Sequence, residues 1–224
     1  MLFVTGDYHG GLEKFKIEKL EDSISGIATK DDYLLICGDF GCVWGSRDDE
    51  YEIEWLNNCP WTTIFVDGNH ENFDLLDTFP IEEWKGGKVH RIRENILHLM
   101  RGEVYEIDGR KILAFGGATS IDKEFRTEYR SWWRQEVPTQ REFDNATFNL
   151  QKVDFSVDYV FTHCAPSEIT KAINYDFKLD TVTNMLTELQ KVVKYNHWYC
   201  GHYHIDRDVN EDFTVLYDEI ERLW

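Results

Sequence analysis

The stretch Leu2-Phe3-Val4-Thr5-Gly6-Asp7-Tyr8-His9, "LFVTGDYH", decides how this chain is read. A short apolar run passes through a glycine into a carboxylate and an imidazole. That is the pattern of a buried strand whose polar residues come at its C-terminal end. The pattern recurs as "YLLICGD" at 33–39, "TTIFVDGNH" at 62–70, "DYVFTHC" at 158–164 and "HWYCGHYH" at 197–204. Between these runs lie helical patterns: "GLEKFKIEKLEDSI" from 11, "DDEYEIEWLNNC" from 48 and "LDTVTNMLTELQKVVKY" from 179. The alternation predicts βαβ units and a largely parallel sheet, where ligands gather beyond the carboxyl ends of the strands.

The middle of the chain reads differently. "EVYEIDGRKILAFGG" at 103–117 alternates, turns at Asp108-Gly109 and alternates again, which predicts a hairpin and an antiparallel portion of sheet. Thr139 and Glu142 have capping-box spacing after Pro138, so a helix is expected from there to about Lys152. There is no repeat, low-complexity tract or linker, and residues 1–224 read as one domain.

Composition limits the function. Apolar residues make up 42% and aromatics 15%, which excludes a disordered chain. The formal charge is −18 with a pI near 4.8, which argues against broad adhesion to nucleic acid or anionic lipid. A small substrate or a locally basic cleft stays open. The opening "MLFVTGDYHGG" has no basic n-region and only a short apolar run, so no export signal is expected. No span of some eighteen apolar residues predicts a membrane helix. Cys37, Cys42, Cys59, Cys164 and Cys200 are odd in number and never spaced as CxxC, which points to a reduced cytoplasm rather than a disulfide framework.

The strand ends collect Asp7 and His9, Asp39, Asn69 with His70 and Glu71, His163, and His202 with His204. On separate strands these converge on one edge of the sheet. Carboxylate with imidazole suits Mn, Fe, Zn or Ni, and the set is too large for one tetrahedral zinc. Two ions sharing a carboxylate would use it. In an extended segment His202 and His204 would point to the same side about 7 Å apart, within reach of two neighbouring ions. Asp7 and His9 share that i, i+2 relation. Glycines at 6, 38, 68 and 201 each precede a member of the set and leave room for close backbone approach.

The ordered set DxH, GD, GNHE, H and GHxH, spanning residues 7 to 204, resembles the calcineurin-like metallophosphoesterases. The resemblance implies a four-layer α/β fold, two mixed β-sheets packed as a sandwich with helices on the outer faces. It implies one metal site of Asp7, His9, Asp39 and His204 and a second of Asp39, Asn69, His163 and His202, with Asp39 bridging. His70 would be the catalytic group facing the substrate and protonating the leaving oxygen. The implied cofactors are two divalent transition-metal ions, Mn foremost, with Fe, Zn or Ni as alternatives. The implied reaction is hydrolysis of a phosphomonoester or phosphodiester, nucleotides included, by a metal-bridging hydroxide.

Part of the family pattern is missing. The protein serine/threonine phosphatases of the superfamily continue their second motif as GDxxDRG, whereas this chain reads "GDFGCVWGSR". The phosphate-gripping arginine is then unassigned, with Arg47 as one candidate and Glu71 as the nearest carboxylate to orient His70. The segment "RGEVYEIDGRKILAFGGATS" with "RSWW" is similar to stand-alone prokaryotic or phage members. Arg126, Arg130 and Arg134 recur at i, i+4 and read either as one solvated helix face or as a basic wall for substrate phosphate, in which Trp132 or Trp133 could stack a base. Glu71 reads as a first-turn helix carboxylate, and His90, His98 and His197 as structural. Two rival functions remain: a phosphoprotein phosphatase, and a non-catalytic metal-binding scaffold of the same fold.

Overall fold

The computed structural model describes residues 1–10 and 14–224. One sheet contains β1 (Leu2–Thr5), β2 (Tyr33–Ile36), β3 (Thr62–Phe65), β4 (Ile81–Trp84), β5 (Gly87–Arg93), β6 (Ile96–Leu99) and, near the chain's end, β13 (Ile220–Arg222). Their order across the sheet is β13-β1-β2-β3-β6-β5-β4. The other sheet contains β7 (Glu103–Ile107), β8 (Arg110–Phe115), β9 (Tyr159–Thr162), β10 (His197–Cys200), β11 (Arg207–Asn210) and β12 (Phe213–Val215), in the order β11-β12-β10-β9-β8-β7. Both sheets are mixed: the central pairs run parallel and the edges antiparallel.

The side-chain period of two builds the layers. Along β1, Leu2 and Val4 enter the core between the sheets, where they meet Leu35, Ile64, Tyr105, Ile112, Phe161 and Tyr199. Phe3 faces the other way, onto α1 (Lys14–Ile24), α2 (Arg47–Asn58) and α3 (Phe73–Leu76), which supply Leu20, Ile24, Ile53, Leu56, Phe73 and Leu76. The second sheet packs Val160 and Trp198 outward against α4 (Gln140–Gln151), α5 (Ser167–Ile173) and α6 (Thr181–Val192), through Ala146, Leu150, Ile169, Leu186 and Leu189. The result is helices, sheet, sheet, helices. Leu35, fully buried, shows what holds it: truncation to Ala would cost about 2–5 kcal/mol, because neighbouring side chains refill such a void only partly.

Local chemistry follows the sequence at several points. Thr139 caps α4, and Glu142 returns a bond to the Thr139 N–H at 2.6 Å. Asp108 and Gly109 both take positive φ, 51° and 76°, as a two-residue hairpin turn of the primed type requires. The five strands that carry the site all form, each ending one to four residues before its first polar site residue. The helix expected from 11 begins, among the described residues, at Lys14, and positions 11–13 lie outside them.

Three readings are corrected. Residues 201–204 are not extended: His202 and His204 have φ of 71° and 51°, so a tight left-handed turn, not strand alternation, separates their rings. Arg126, Arg130 and Arg134 share no helix face, since 123–125 and 134–136 are separate 3₁₀ turns flanking an isolated bridge between Glu128 and Trp132. Glu71 precedes the N-cap of α3, which is Asn72, and its carboxylate turns away from that helix.

Candidate functional site

β1 delivers Asp7 and His9, β2 delivers Asp39, β3 delivers Asn69 and His70, β9 delivers His163, and β10 delivers His202 and His204. All of these leave the same edge of the sandwich. Two groups of donor atoms form there. In the first, His9 Nε2 and His204 Nε2 lie 3.1 Å apart and face Asp7 Oδ2 at 3.6 and 3.1 Å, with Asp39 Oδ2 at 3.9 Å from His9. In the second, His163 Nε2 lies 3.2 Å from Asn69 Oδ1 and 3.3 Å from Asp39 Oδ1, and the His202 ring packs edge-on to His163 at 4.9 Å between centroids. The two oxygens of Asp39 thus face different groups.

Backbone geometry sets these positions. His9, Asp39, His202 and His204 all have positive φ, in the left-handed region that side-chain-bearing residues enter at a cost of about 1–3 kcal/mol. Gly38 is required twice over: its φ is 97°, and a Cβ there would overlap the His163 ring. Gly68 is pressed against Asp39, whose carboxylate a Cβ would strike.

Neighbouring groups fix the orientation of the donors. His163 Nδ1 bonds the Cys37 carbonyl at 2.8 Å, which turns Nε2 towards the centre. Asn69 donates its amide N–H to Ser120 Oγ at 3.3 Å, leaving Oδ1 for the centre, and Glu136 holds Ser120 through Oγ at 2.6 Å and the backbone N–H at 2.9 Å. Asp39 Oδ1 accepts the His70 N–H at 2.8 Å, and Asp7 Oδ1 the His202 N–H at 2.7 Å. Glu71 accepts from Phe40 and Gly41, at 2.7 and 3.3 Å, so it braces the turn that follows Asp39. Tyr217 stacks on His204 at 4.5 Å. Ser120, Glu136 and Tyr217 carry no sequence pattern that marks them. Glu71 stood within the GNHE motif but was read onto the helix.

The electrostatics ask for positive charge. Burial raises the pKa of Asp7, but the His204 and His9 rings, the His163 charge and the His202 N–H outweigh it and hold the carboxyl well below its usual range. Burial is likewise overcome at Asp39, chiefly by His163, and its pKa is also lowered. Against its own burial His163 is driven up to about 10 by Asp39 and Asp7, and His202 is pushed down to about 4 by burial and by His163. A site free of metal therefore holds a proton at His163 between two carboxylates. The donor set fits a metal by a further test: Asp7 Oδ2 is fully buried, accepts no hydrogen bond of good geometry, and faces ring nitrogens that are themselves ligand atoms.

His70 stands beside this set, its ring edge-on to His9 at 5.2 Å. Its partner is a cation. Arg126 places Nη2 3.0 Å from His70 Nε2 and Nη1 3.5 Å from Nδ1, and Asp122 holds the same guanidinium at 2.8 Å. Burial first, then the Arg126 charge against the pull of Asp39, sets the His70 pKa below the ordinary imidazole value. Arg47, first residue of α2, and Arg130 are both exposed, and the structure brings neither into contact with this set. Arg134 pairs with Glu128. Trp133 is buried against Trp44 in the helix-side core of the first sheet and cannot stack on a ligand.

A second array lies at the far side of β3. Asp67 bonds His98 Nε2 at 3.1 Å and Arg101 Nη2 at 2.5 Å, and His98 Nδ1 meets His90 Nδ1 at 3.0 Å. These residues line a cavity of about 460 Å³ with Phe73, Met100 and Glu142.

Residues 2–206 match the family model described as calcineurin-like phosphoesterase. The chain belongs to that family. It is similar to the lariat debranching enzymes of Drosophila melanogaster (26% identity, 90% of this chain and 42% of the relative) and Gallus gallus (25%, with the same coverage). The relative from Schizosaccharomyces pombe is 27% identical over 66% of this chain and 34% of its own. The phosphoesterase thus spans less than half the length of these relatives. Among solved structures it is similar to a Staphylococcus aureus chain described as a candidate 5'-nucleotidase in complex with alpha-ketoglutarate, with TM-score 0.48 and 15% identity over 96% of this chain and 48% of that one. A protein of unknown function from Aquifex aeolicus gives TM-score 0.37 and 17% identity over 73% and 80%. No helix among the described residues is long and apolar enough to cross a membrane.

Proposed function

We propose that the phosphoesterase hydrolyses phosphodiesters, nucleotide diesters among them, with two divalent transition-metal ions, Mn foremost. Asp7, His9, Asp39 and His204 would hold one ion and Asp39, Asn69, His163 and His202 the other. The observation that carries this reading is the division of donor atoms into two clusters, Asp7 with His9 and His204 and Asp7 with Asp39 and His163, with the two oxygens of Asp39 turned one towards His9 and one towards His163. Bound there, such ions supply Lewis-acid charge for the phosphoryl oxygens and lower the pKa of the attacking water. The lariat debranching relatives favour a diester over a monoester. The five free, buried cysteines suit a reducing cytoplasm.

The chain's own residues do the rest. Arg126 takes the place of the arginine missing from "GDFGCVWGSR", since its guanidinium already sits at the centre and matches a phosphate's oxygens in pairs. A guanidinium only donates, so His70 accepts from it and is neutral on that nitrogen. Substrate phosphate competes for Arg126. Once it is drawn away, His70 Nε2 can take up a proton from solvent and pass it to the departing oxygen, a step worth about 10²–10⁴ in rate.

The deciding experiment compares bis(p-nitrophenyl) phosphate with p-nitrophenyl phosphate on Mn-loaded protein. Diester turnover is expected to exceed monoester turnover. A monoester preference would make the protein a phosphatase, and silence on both, with two ions bound, would leave the scaffold reading.

A further inference from the structure

The segment from Ile121 to Trp132 joins the centre through Arg126 and is otherwise unlike the surface around it. Ten large hydrophobic side chains are exposed among the described residues, and three of them, Ile121, Phe125 and Tyr129, fall within nine positions here. Ile121 and Phe125 are the two most exposed of all, at 93% and 86%. Scattered singly such residues need no explanation, whereas a cluster beside a functional centre marks a contact surface.

The loop is built rather than loose. Arg126 is fastened to Asp122 and to the Ser131 carbonyl, the Thr127 carbonyl receives the N–H groups of Arg130 and Ser131, and the Tyr129 N–H returns to the Trp132 carbonyl. Tyr129 sits at the tip with φ of 62°, a strained setting for an aromatic residue. At its end the loop is pinned by Trp133, buried against Trp44. Two aromatic rings and an isoleucine are thus kept in water on the same short segment as the guanidinium that touches His70.

Charge narrows the occupant. A chain of net −18 repels a polyanion, so a long nucleic acid is disfavoured, while a single phosphate with one planar group satisfies Arg126 and the rings together. We propose that Phe125 and Tyr129 form a stacking platform for the nucleobase of a mononucleotide-sized diester whose phosphate Arg126 grips. This rests on the phosphodiesterase reading above and assigns the part of the substrate that does not react. Every base has a π-face, so the platform selects nucleosides over alkyl groups without choosing among bases.

Two esters with the same leaving group test it: thymidine 5'-(p-nitrophenyl phosphate) and methyl p-nitrophenyl phosphate. The Mn-loaded protein should prefer the thymidine ester in kcat/KM by roughly tenfold or more, as expected when one base stacks. Phe125→Ala and Tyr129→Ala should each bring that ratio towards one, whereas Phe148→Ala, another exposed aromatic, should leave it unaltered. No preference in the parent protein, or a ratio indifferent to both loop variants, overturns the platform. If neither ester is cleaved the phosphodiesterase reading fails, and calorimetry with thymidine 5'-monophosphate against methyl phosphate still decides the platform. Tighter binding of the nucleotide that Phe125→Ala abolishes upholds it. Equal affinities, or binding of neither, overturn it.

Discussion

The two carboxylate–histidine arrays on either side of β3 are built from the same residue types and differ in how their charge is balanced. Asp67 has an internal cation: burial would raise its pKa, but Arg101 and then His98 overcome that and hold it ionised. Arg101 is itself shared with Glu142 and the Gln135 carbonyl, so this network is closed. Asp7 and Asp39 have only histidines, and they repel one another. Where the chain supplies its own counter-ion it has built a structural tie. Where it leaves two buried carboxylates facing only imidazoles, with no arginine or lysine among them, a bound cation would complete the balance.

The largest effect should separate the two arrays. Asp39→Asn should lower bound metal, read by elemental analysis, more than His9→Ala does, and chelation should abolish turnover that Mn restores. Asp67→Asn should do the reverse: it strands Arg101 in the interior and should cost about 3–5 kcal/mol in denaturant unfolding, with metal stoichiometry retained in the folded fraction. Loss of ions at full stability would break the distinction.

Next in size, His70→Ala should keep both ions and lose about 10²–10⁴ in kcat on esters with alkoxide leaving groups, and much less on nitrophenyl esters. Uniform loss on both would move His70 to phosphate binding. The second array also predicts an acid limb. Burial, with His98, pushes the His90 pKa down to about 4, against about 6.5 unfolded. The unfolded chain then takes the proton first, so this contribution is complete above pH 6.5 and lost as pH falls through 4. Unfolding free energy should drop by about 2–3 kcal/mol over that window, and His90→Asn should flatten it. An unchanged slope would show that His90 is not the titrating group. Smallest of all, Arg126→Ala should raise KM by the equivalent of about 1–3 kcal/mol with metal content intact. An unchanged KM would return the arginine to its tie with Asp122.

Most of the site could be read from the sequence because each strand announces itself twice, by its apolar run and by the polar residue that ends it. Asp7, Asp39, Asn69 and His163 follow such runs directly. The β4-β5-β6 ribbon had no such ending, and the Lys85-Gly86 turn that makes its first hairpin, with φ of 51° and 93°, lacks the Asn or Asp that made the Asp108 turn conspicuous. The pairing of His202 and His204 was found for the wrong reason, since strand alternation was assumed where the chain turns left-handed. Arg126 stands out in the sequence only through its i, i+4 spacing with Arg130 and Arg134, a spacing that no helix uses here. Its contact with His70 joins residues 56 positions apart, and no local pattern records such a meeting. Ser120 and Glu136 were missed for the same reason.

The left-handed backbone at His9, Asp39, His202 and His204 bears on how such a centre could be re-engineered. Histidine, aspartate and asparagine are the side-chain-bearing residues that enter this conformation most readily, and they are also ligands of graded charge and softness. Exchanges among those three at these positions would therefore change the charge and softness of the donor set without asking the chain to refold. A valine or isoleucine at the same places would contend with the backbone before any question of chemistry arose. The conformational constraint favours at these points a palette in which every member carries a donor atom.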